Sequence, residues 1–451
     1  MTTLVDRSRI ISYQSCPRMR WLQYHRDGTG LVPLRLNIPL TVGGCVHEGL
    51  EDLLSGKGVE EAVKRAVGKY WAEVRLRGIQ SESGDDEDIV AKEQAALIEG
   101  MLRGYEKVQL PKLLAEYEVL EVEKEESFQL ADDIVLMARA DALLLERESG
   151  DLYIQSFKTA ASWDSRTDKS AQFDMQGLSE MAAVEGRLGM RWVELKVDDN
   201  PPAAKGRVDE YLLGIPNPPK VMGIRYEYLL KGDRYKDEKS GRWLSHSPLI
   251  RGYVKQGVTM SDTEFAWKSR VPCPGAGHMV MGAKGEYPCK GQQYHTLGKD
   301  FNLFNVWDGI NVSGGVKTWI DLLMTGSVQP ELIENGVHPI ESQFVVPPPY
   351  FRNDSDVREW KESVAHQEKR VASAVEMVNA AEGDERLHVL NREFPRHLSR
   401  CAYPTVCPYA AIGGSMGICY SDAVNADPVG VGMYTARVPH HQEELKARGG
   451  E

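Results

Sequence analysis

The sequence predicts an α/β fold in which a helical layer is followed by three consecutive strands, a helix and one more strand. Three observations lead there. Residues 44–55, 59–77 and about 90–116 place apolar side chains at three-and-four spacing. From Tyr117 the period drops to two through YEVLEVEKEESFQL, IVLMARADALLLERESG and DLYIQSFKTA. The helical period then returns over 171–188, before the strand VMGIRYEYLLKG.

Each element follows from its local chemistry. VEEAVKRAVGKYWAEVRLR, residues 59–77, carries its apolar side chains at the three-and-four spacing of a helix face. Glu148-Ser149-Gly150-Asp151 supplies the small polar residues of a hairpin turn. Residues 233–315 are rich in Gly, Lys and aromatics without sustained periodicity, and are expected to be an insertion of loops and short strands. Helical patterns resume at 316–336 and 355–385, separated by IESQFVVPPPYF, and the last twenty residues are expected to be mobile. The expected division is a core with its helical layer over 1–232, the insertion over 233–315, and a C-terminal region over 316–451 that completes the core.

Composition excludes several roles. Of 451 residues, 27% are charged and 42% apolar, which is enough to bury a sizeable core. Lys and Arg total 54 against 66 Asp and Glu, so the net charge of −12 rules out a wholesale basic coat, and a polyanion must meet a local patch. The opening MTTLVDRSRI has no apolar signal region and no run of about eighteen apolar residues occurs, so a cytoplasmic address without membrane contact is expected. Gly277 to Lys284 resembles a phosphate-binding loop, but Ala283 precedes the lysine. No motor is therefore fused to the chain, and strand separation would need a partner such as a helicase or recombinase.

Alternation along 152–158 sets Leu152, Ile154, Ser156 and Lys158 on one face, and Tyr153, Gln155 and Phe157 on the other. An inward lysine needs an anion, and Asp141 on the preceding strand is the obvious one; a buried ion pair or a solvated strand end would satisfy the same pattern. Gln172, Gln176 and Glu180 form a polar stripe at i, i+4 and i+8, either solvated or turned toward Asp141 and Lys158, with Asp174 off the stripe. His47, with Glu51 at i+4, lies one turn into a helix opened by Gly43 and Gly44. Arg7, Arg9, Arg18 and Arg20, interleaved with Trp21 and Tyr24, offer phosphate contacts and stacking surfaces, or else a solvated face with aromatics in the core.

The seven cysteines, an odd number, suggest thiols or metal ligands rather than a disulfide framework. Cys16, Cys401, Cys407 and Cys419 suit either a [4Fe-4S] cluster or structural zinc. Cys273, His278, Cys289 and His295 are compatible with a Cys2His2 zinc site or are ordinary residues of a long loop, and Cys45 has no evident partner.

Taken in order, several motifs resemble one family. They are Ser12, Tyr13, Cys16, Pro17, Arg18, Leu22 and Tyr24, then Gly43-x-x-x-His47, Arg139-x-Asp141, Phe157-Lys158-Thr159, Gln176 and the late cysteines. The chain resembles the RecB-like branch of the PD-(D/E)XK nucleases, in particular the iron–sulfur exonucleases of the CRISPR-adaptation and AddB type, many of them carried by bacterial viruses. The resemblance implies a restriction-endonuclease-like core, a mixed sheet flanked by helices and closed by a C-terminal cysteine clasp. It implies metal-dependent hydrolysis of DNA, single-stranded or with free ends, in recombination, replication or defence, inside a bacterial or phage-infected cell.

Carried over residue by residue, the resemblance makes His47, Asp141 and the main-chain carbonyl of Phe157 ligands of Mg²⁺ or Mn²⁺. Lys158 assists the attacking water, Gln176 positions the lysine or the DNA, and Cys16 joins Cys401, Cys407 and Cys419 around an iron–sulfur cluster. DNA contact falls to Arg18, Arg20 and Tyr24.

One departure matters: the family has Asp or Glu two residues before the lysine, and this chain has Ser156. Either the carboxylate has migrated to Glu180, which would then serve as catalytic group and metal ligand, or the site has decayed to a catalytically inactive DNA-binding or scaffold protein.

Overall fold

The structure, a computed structural model, describes residues 3–25, 30–34, 36–78, 87–172, 174–198, 201–231, 343–380 and 434–437, together with the backbone of six short strands between 234 and 296. The chain opens with β1 (Thr3–Val5), α1 (Arg7–Ser15), α2 (Pro17–Tyr24) and β2 (Leu31–Pro33), none of which the periodicity predicts, because each is too short to show a repeat. Asp6 caps α1 by accepting from the Arg9 amide at 2.8 Å, which stops β1 and starts the helix.

Next come α3 (Ile38–Leu54) and α4 (Val59–Arg77). Asn37 caps α3 through Leu40, and Gly78, at φ 68°, ends α4. The single helix expected over 90–116 is two, α5 (Glu87–Val108) and α6 (Leu110–Glu116). Pro111 sits in the first turn of α6, where its missing N–H is tolerated and where it cannot continue α5.

The strands β3 (Tyr117–Ala131), β4 (Ile134–Glu146) and β5 (Leu152–Ala160) follow as predicted. The crossover to β6 (Val221–Leu230) holds α7 (Ser165–Gln172), α8 (Met175–Lys196) and α9 (Gly206–Gly214); α8 answers to the helix expected over 171–188, and α7 and α9 are unforeseen. The insertion contributes the antiparallel pairs β7 (Arg234–Lys236) with β8 (Trp243–Ser245), β9 (Arg270–Pro272) with β12 (Tyr294–Thr296), and β10 (Met279–Gly282) with β11 (Gly285–Pro288). The helix expected over 316–336 lies outside the described residues, as do Cys273, His278 and Cys289. After it come β13 (Phe344–Val345), β14 (Tyr350–Phe351), α10 (Asp354–Ala380) and β15 (Tyr434–Ala436).

The central sheet is mixed. β3 runs antiparallel along one edge of β4, while the opposite edge is shared: β1 pairs parallel with Ile134–Leu136 and β5 pairs antiparallel with Ala142–Leu145. β5 then pairs parallel with β6 as far as Ala160, and β13 and β14 close the far edge of β6. On one face α3, α4 and α5 bury Val46, Leu50, Ile98 and Met101 against Leu144, Tyr153 and Phe157. On the other, α8 and α9 bury Met181, Leu188 and Leu212 against Leu152, Ile154 and Ile224. The alternation read along β5 is thus the observed division of faces.

A third cluster packs Ala182 and Ala183 of α8 against Val357, Trp360 and Val364 of α10 and against Val5 and Ile10. The result is a central mixed sheet flanked by helices, consistent with a restriction-endonuclease-like core. Among the described residues no helix is long and apolar enough to cross a membrane.

Candidate metal centre

The site forms where β4 and β5 part. Their ladder ends at Ala142 opposite Gln155, while β5 continues on β6. The next rung would join Asp141 to Ser156. Instead the Asp141 side chain enters the gap and its Oδ2 accepts the Phe157 amide at 2.5 Å. Its Oδ1 lies 3.0 Å from His47 Nδ1. His47 arrives from α3, which packs closely because Gly43 leaves room: a Cβ there would meet Thr159 Oγ1 at 3.1 Å.

Glu123 of β3 is the third member. It lies between the registered pairs Val122 with Ala142 and Lys124 with Ala140, and so opposite Asp141. Its Oε1 is 3.9 Å from His47 Nδ1, and its Oε2 is 2.9 Å from Arg139 Nε. One ligand atom from each of His47, Glu123 and Asp141 falls within 4.8 Å of the others.

Burial disfavours charge on all three groups, and their mutual fields decide the outcome. Burial works against a charged Asp141, but His47, Lys158 and the Phe157 amide outweigh it and hold the carboxyl below its ordinary range. Burial likewise works against protonated His47, and Asp141 and Glu123 overcome it, raising the imidazole. Glu123 is pushed up to about 7 by burial and by the Asp141 charge. Two buried carboxylates that oppose each other's ionisation, beside an imidazole, are a donor set that suits a hard divalent cation. The residues present therefore fit the metal that the sequence implies.

Beside this group lies a second network. Lys158 Nζ donates to Gln176 Oε1, and Gln176 Nε2 donates to Glu180 Oε1 at 2.5 Å and reaches Ser156 Oγ at 3.4 Å. The lysine also stands 5.6 Å from the centre of the Tyr226 ring. Burial lowers the Lys158 amine against the opposing pull of Glu180 and Asp141. Burial pushes Glu180 up to about 8, with Lys158 acting against it. Asp174, off the stripe, is the N-cap of α8: it accepts from the Gln176 amide at 2.9 Å and pairs with Arg7 at 3.1 Å.

Residues 7–208 match the family model of the PD-(D/E)XK nuclease superfamily. The matched stretch contains His47, Glu123, Asp141, Lys158, Gln176 and Glu180. No curated protein matches the chain significantly.

The structure thus gathers most residues that the sequence singles out. His47 and Asp141 touch, and Lys158, Gln176, Glu180 and Ser156 share one network. Glu180 lies outside the group formed by His47, Glu123 and Asp141. Glu51 turns away to Arg65 at 2.9 Å, and the Gln172 side chain lies outside the described residues. Arg18, Arg20 and Tyr24 are buried in the packing of α2, with Arg20 paired to Glu368 of α10 at 2.8 Å, so their expected role as a surface for DNA does not match this placement. Cys16 is the residue between α1 and α2, whereas Cys401, Cys407 and Cys419 lie outside the described residues.

Glu123 is the residue that sequence reading missed. Counting back across the hairpin from Asp141 would have found it, but β3 carries register shifts at Val119/Glu121 and Gln129/Ala131 that spoil such a count.

Proposed function

We propose that the chain is a divalent-metal-dependent nuclease that hydrolyses DNA phosphodiester bonds. The observation that carries this reading is the meeting of His47 and Asp141 at the open end of the β4–β5 ladder, with Lys158 on the adjoining strand position to Phe157. In this reading His47, Asp141 and the Phe157 carbonyl hold Mg²⁺ or Mn²⁺. Such an ion, when bound, supplies Lewis acidity to a phosphoryl oxygen and to water.

The chain's own groups do the rest. The Phe157 amide fixes one oxygen of Asp141, so the other faces His47 in a set orientation. The Lys158 ammonium offsets negative charge that develops on the phosphate, and Gln176 holds that ammonium in place. Glu180, joined to the lysine through Gln176, completes the catalytic set. Activity on single- and double-stranded DNA with Mn²⁺, abolished in Lys158→Ala and Asp141→Asn, tests the reading. Activity that appears only in Ser156→Asp would instead support an inactive DNA-binding protein.

Three finer readings accompany it. Preference for DNA ends, as an exonuclease of recombination, replication or defence working in the cytoplasm with a helicase or recombinase partner, rests on the family resemblance. The division into 1–232, 233–315 and 316–451 is supported by the strands at 344–351, which rejoin β6 after the insertion.

A [4Fe-4S] cluster on Cys16, Cys401, Cys407 and Cys419, with zinc as the alternative, is supported by the return of the tail. β15 pairs with β2, Arg437 Nε donates to Gln23 O at 2.7 Å, and its guanidinium lies 4.5 Å from the centre of the Tyr24 ring. Residues 434–437 thus lie against the C-terminal end of α2, the helix whose N-cap is Cys16. Brown protein from anaerobic purification, colourless after any one Cys→Ser change, tests the cluster. Colourless native protein with stoichiometric zinc would reverse the assignment.

A further inference from the structure

We infer that Glu123 supplies the second carboxylate that Ser156 does not, so that the missing motif acid is replaced from β3, across the sheet, rather than from α8. This deepens the metal-site reading above and rests on it.

A divalent ion held by one carboxylate and a neutral imidazole keeps an uncompensated positive charge in a buried place, which weakens binding. Ser156 cannot correct this: it carries no charge and is fully buried. Of the two nearby glutamates, Glu123 belongs to the group whose ligand atoms lie within 4.8 Å of one another. Glu180 lies outside that group: its Oε1 takes the Gln176 amide, which also holds Lys158, and its Oε2 is buried without a hydrogen bond.

The two oxygens of Glu123 have different surroundings. Oε2 is fixed by Arg139, which leaves Oε1 facing His47 Nδ1 at 3.9 Å. That is the arrangement of a monodentate ligand oriented by an outer partner. The side chain is largely buried, so water does little to screen its charge from an ion held beside it.

The backbone at this position is unusual as well. Glu123 has φ 48°, and among the described residues it is the one non-glycine with positive φ. An L-residue in that region is held there against its own preference by about 1–2 kcal/mol. Standing opposite Asp141 in the ladder, Glu123 turns its side chain to the Asp141 face, where its two oxygens reach His47 and Arg139. With Glu123 and Asp141 both ionised, two negative charges face the two positive charges of the ion.

The test reads binding, not turnover. Mn²⁺ affinity of the full chain is measured by calorimetry and by the loss of the free-ion EPR signal, without DNA. Glu123→Gln is expected to weaken binding by about 10–100-fold, while Glu180→Gln leaves it essentially native. Glu123→Gly removes the carboxylate yet accepts the positive φ, so it keeps the fold if the glutamine variant does not. Adding Ser156→Asp to Glu123→Gly is expected to recover most of the lost affinity. Native affinity in both Glu123 variants, or loss confined to Glu180→Gln, overturns the inference while the metal site stands. A native chain that binds no Mn²⁺ overturns both.

Discussion

Lys158 and Glu180 are joined through a single amide. Gln176 accepts from the ammonium with its carbonyl oxygen and donates to the carboxyl Oε1 with its nitrogen, at 2.5 Å. The orientation of that amide is fixed by its neighbours, since a flipped Gln176 would set a nitrogen against the ammonium and an oxygen against the carboxyl. In the proposed reaction Glu180 would act through the position of the lysine.

Removing the bridge should show this. Gln176→Leu keeps the volume but leaves a buried ammonium and a buried carboxyl without their partner, and turnover should fall about 10²-fold with little change in KM. Lys158→Ala should fall as far or further. Steady-state kinetics on a labelled duplex, set beside unchanged Mn²⁺ binding, separate this from loss of the metal.

Metal should also be visible as stability. A ligand that binds only the folded chain adds about 2.7 kcal/mol at a hundredfold excess over its Kd. Mn²⁺ should therefore raise the melting temperature of the native protein, chelation should remove both that gain and DNA cleavage, and Asp141→Asn should show neither.

The sheet face covered by α3, α4 and α5 contains a polar cluster with no part in that chemistry. Arg225 donates to Gln155 Oε1 at 2.6 Å and to Glu227 Oε2 at 2.9 Å, all within the core. Arg225→Met leaves the buried Glu227 carboxyl without its cation and should destabilise the fold by about 3–5 kcal/mol in urea melts. A loss below about 1 kcal/mol would mean that the cluster hydrates.

Acid sensitivity has an identifiable contributor in the α8–α9 contact. Arg191 forks onto Asp209 at 3.0 and 2.6 Å, and the Lys205 amide adds a bond at 2.6 Å. The Arg191 hydrogen bonds hold the Asp209 carboxyl below its ordinary value. Its stabilisation is complete above the unfolded pKa of about 3.9 and is lost as pH falls through the lower folded value. Asp209→Asn should be less stable than native protein at neutral pH, and the difference should shrink below about pH 4 when melts are compared across a pH series.

Much of this was legible in the chain itself. The switch from a period near four to a period of two marked β3, and alternation alone assigned Ser156 and Lys158 to the face opposite Phe157. Short segments were illegible for the converse reason: α1, α2 and α9 have 9, 8 and 9 residues, about two turns each, and are held by caps and packing more than by pattern. Burial of Arg18 and Arg20 was not legible, because a cation that will be buried, as Arg20 is against Glu368, looks the same in sequence as one that meets phosphate.

The sequence by itself determined the order of elements, the identity of His47, Asp141, Lys158 and Gln176 as the residues to watch, and the absence of an acid at Ser156. Only the tertiary structure decided which glutamate joins His47 and Asp141. Proximity across a sheet depends on register, and register in β3 is set by bulges and by one residue at positive φ, which a hydrophobic pattern does not encode.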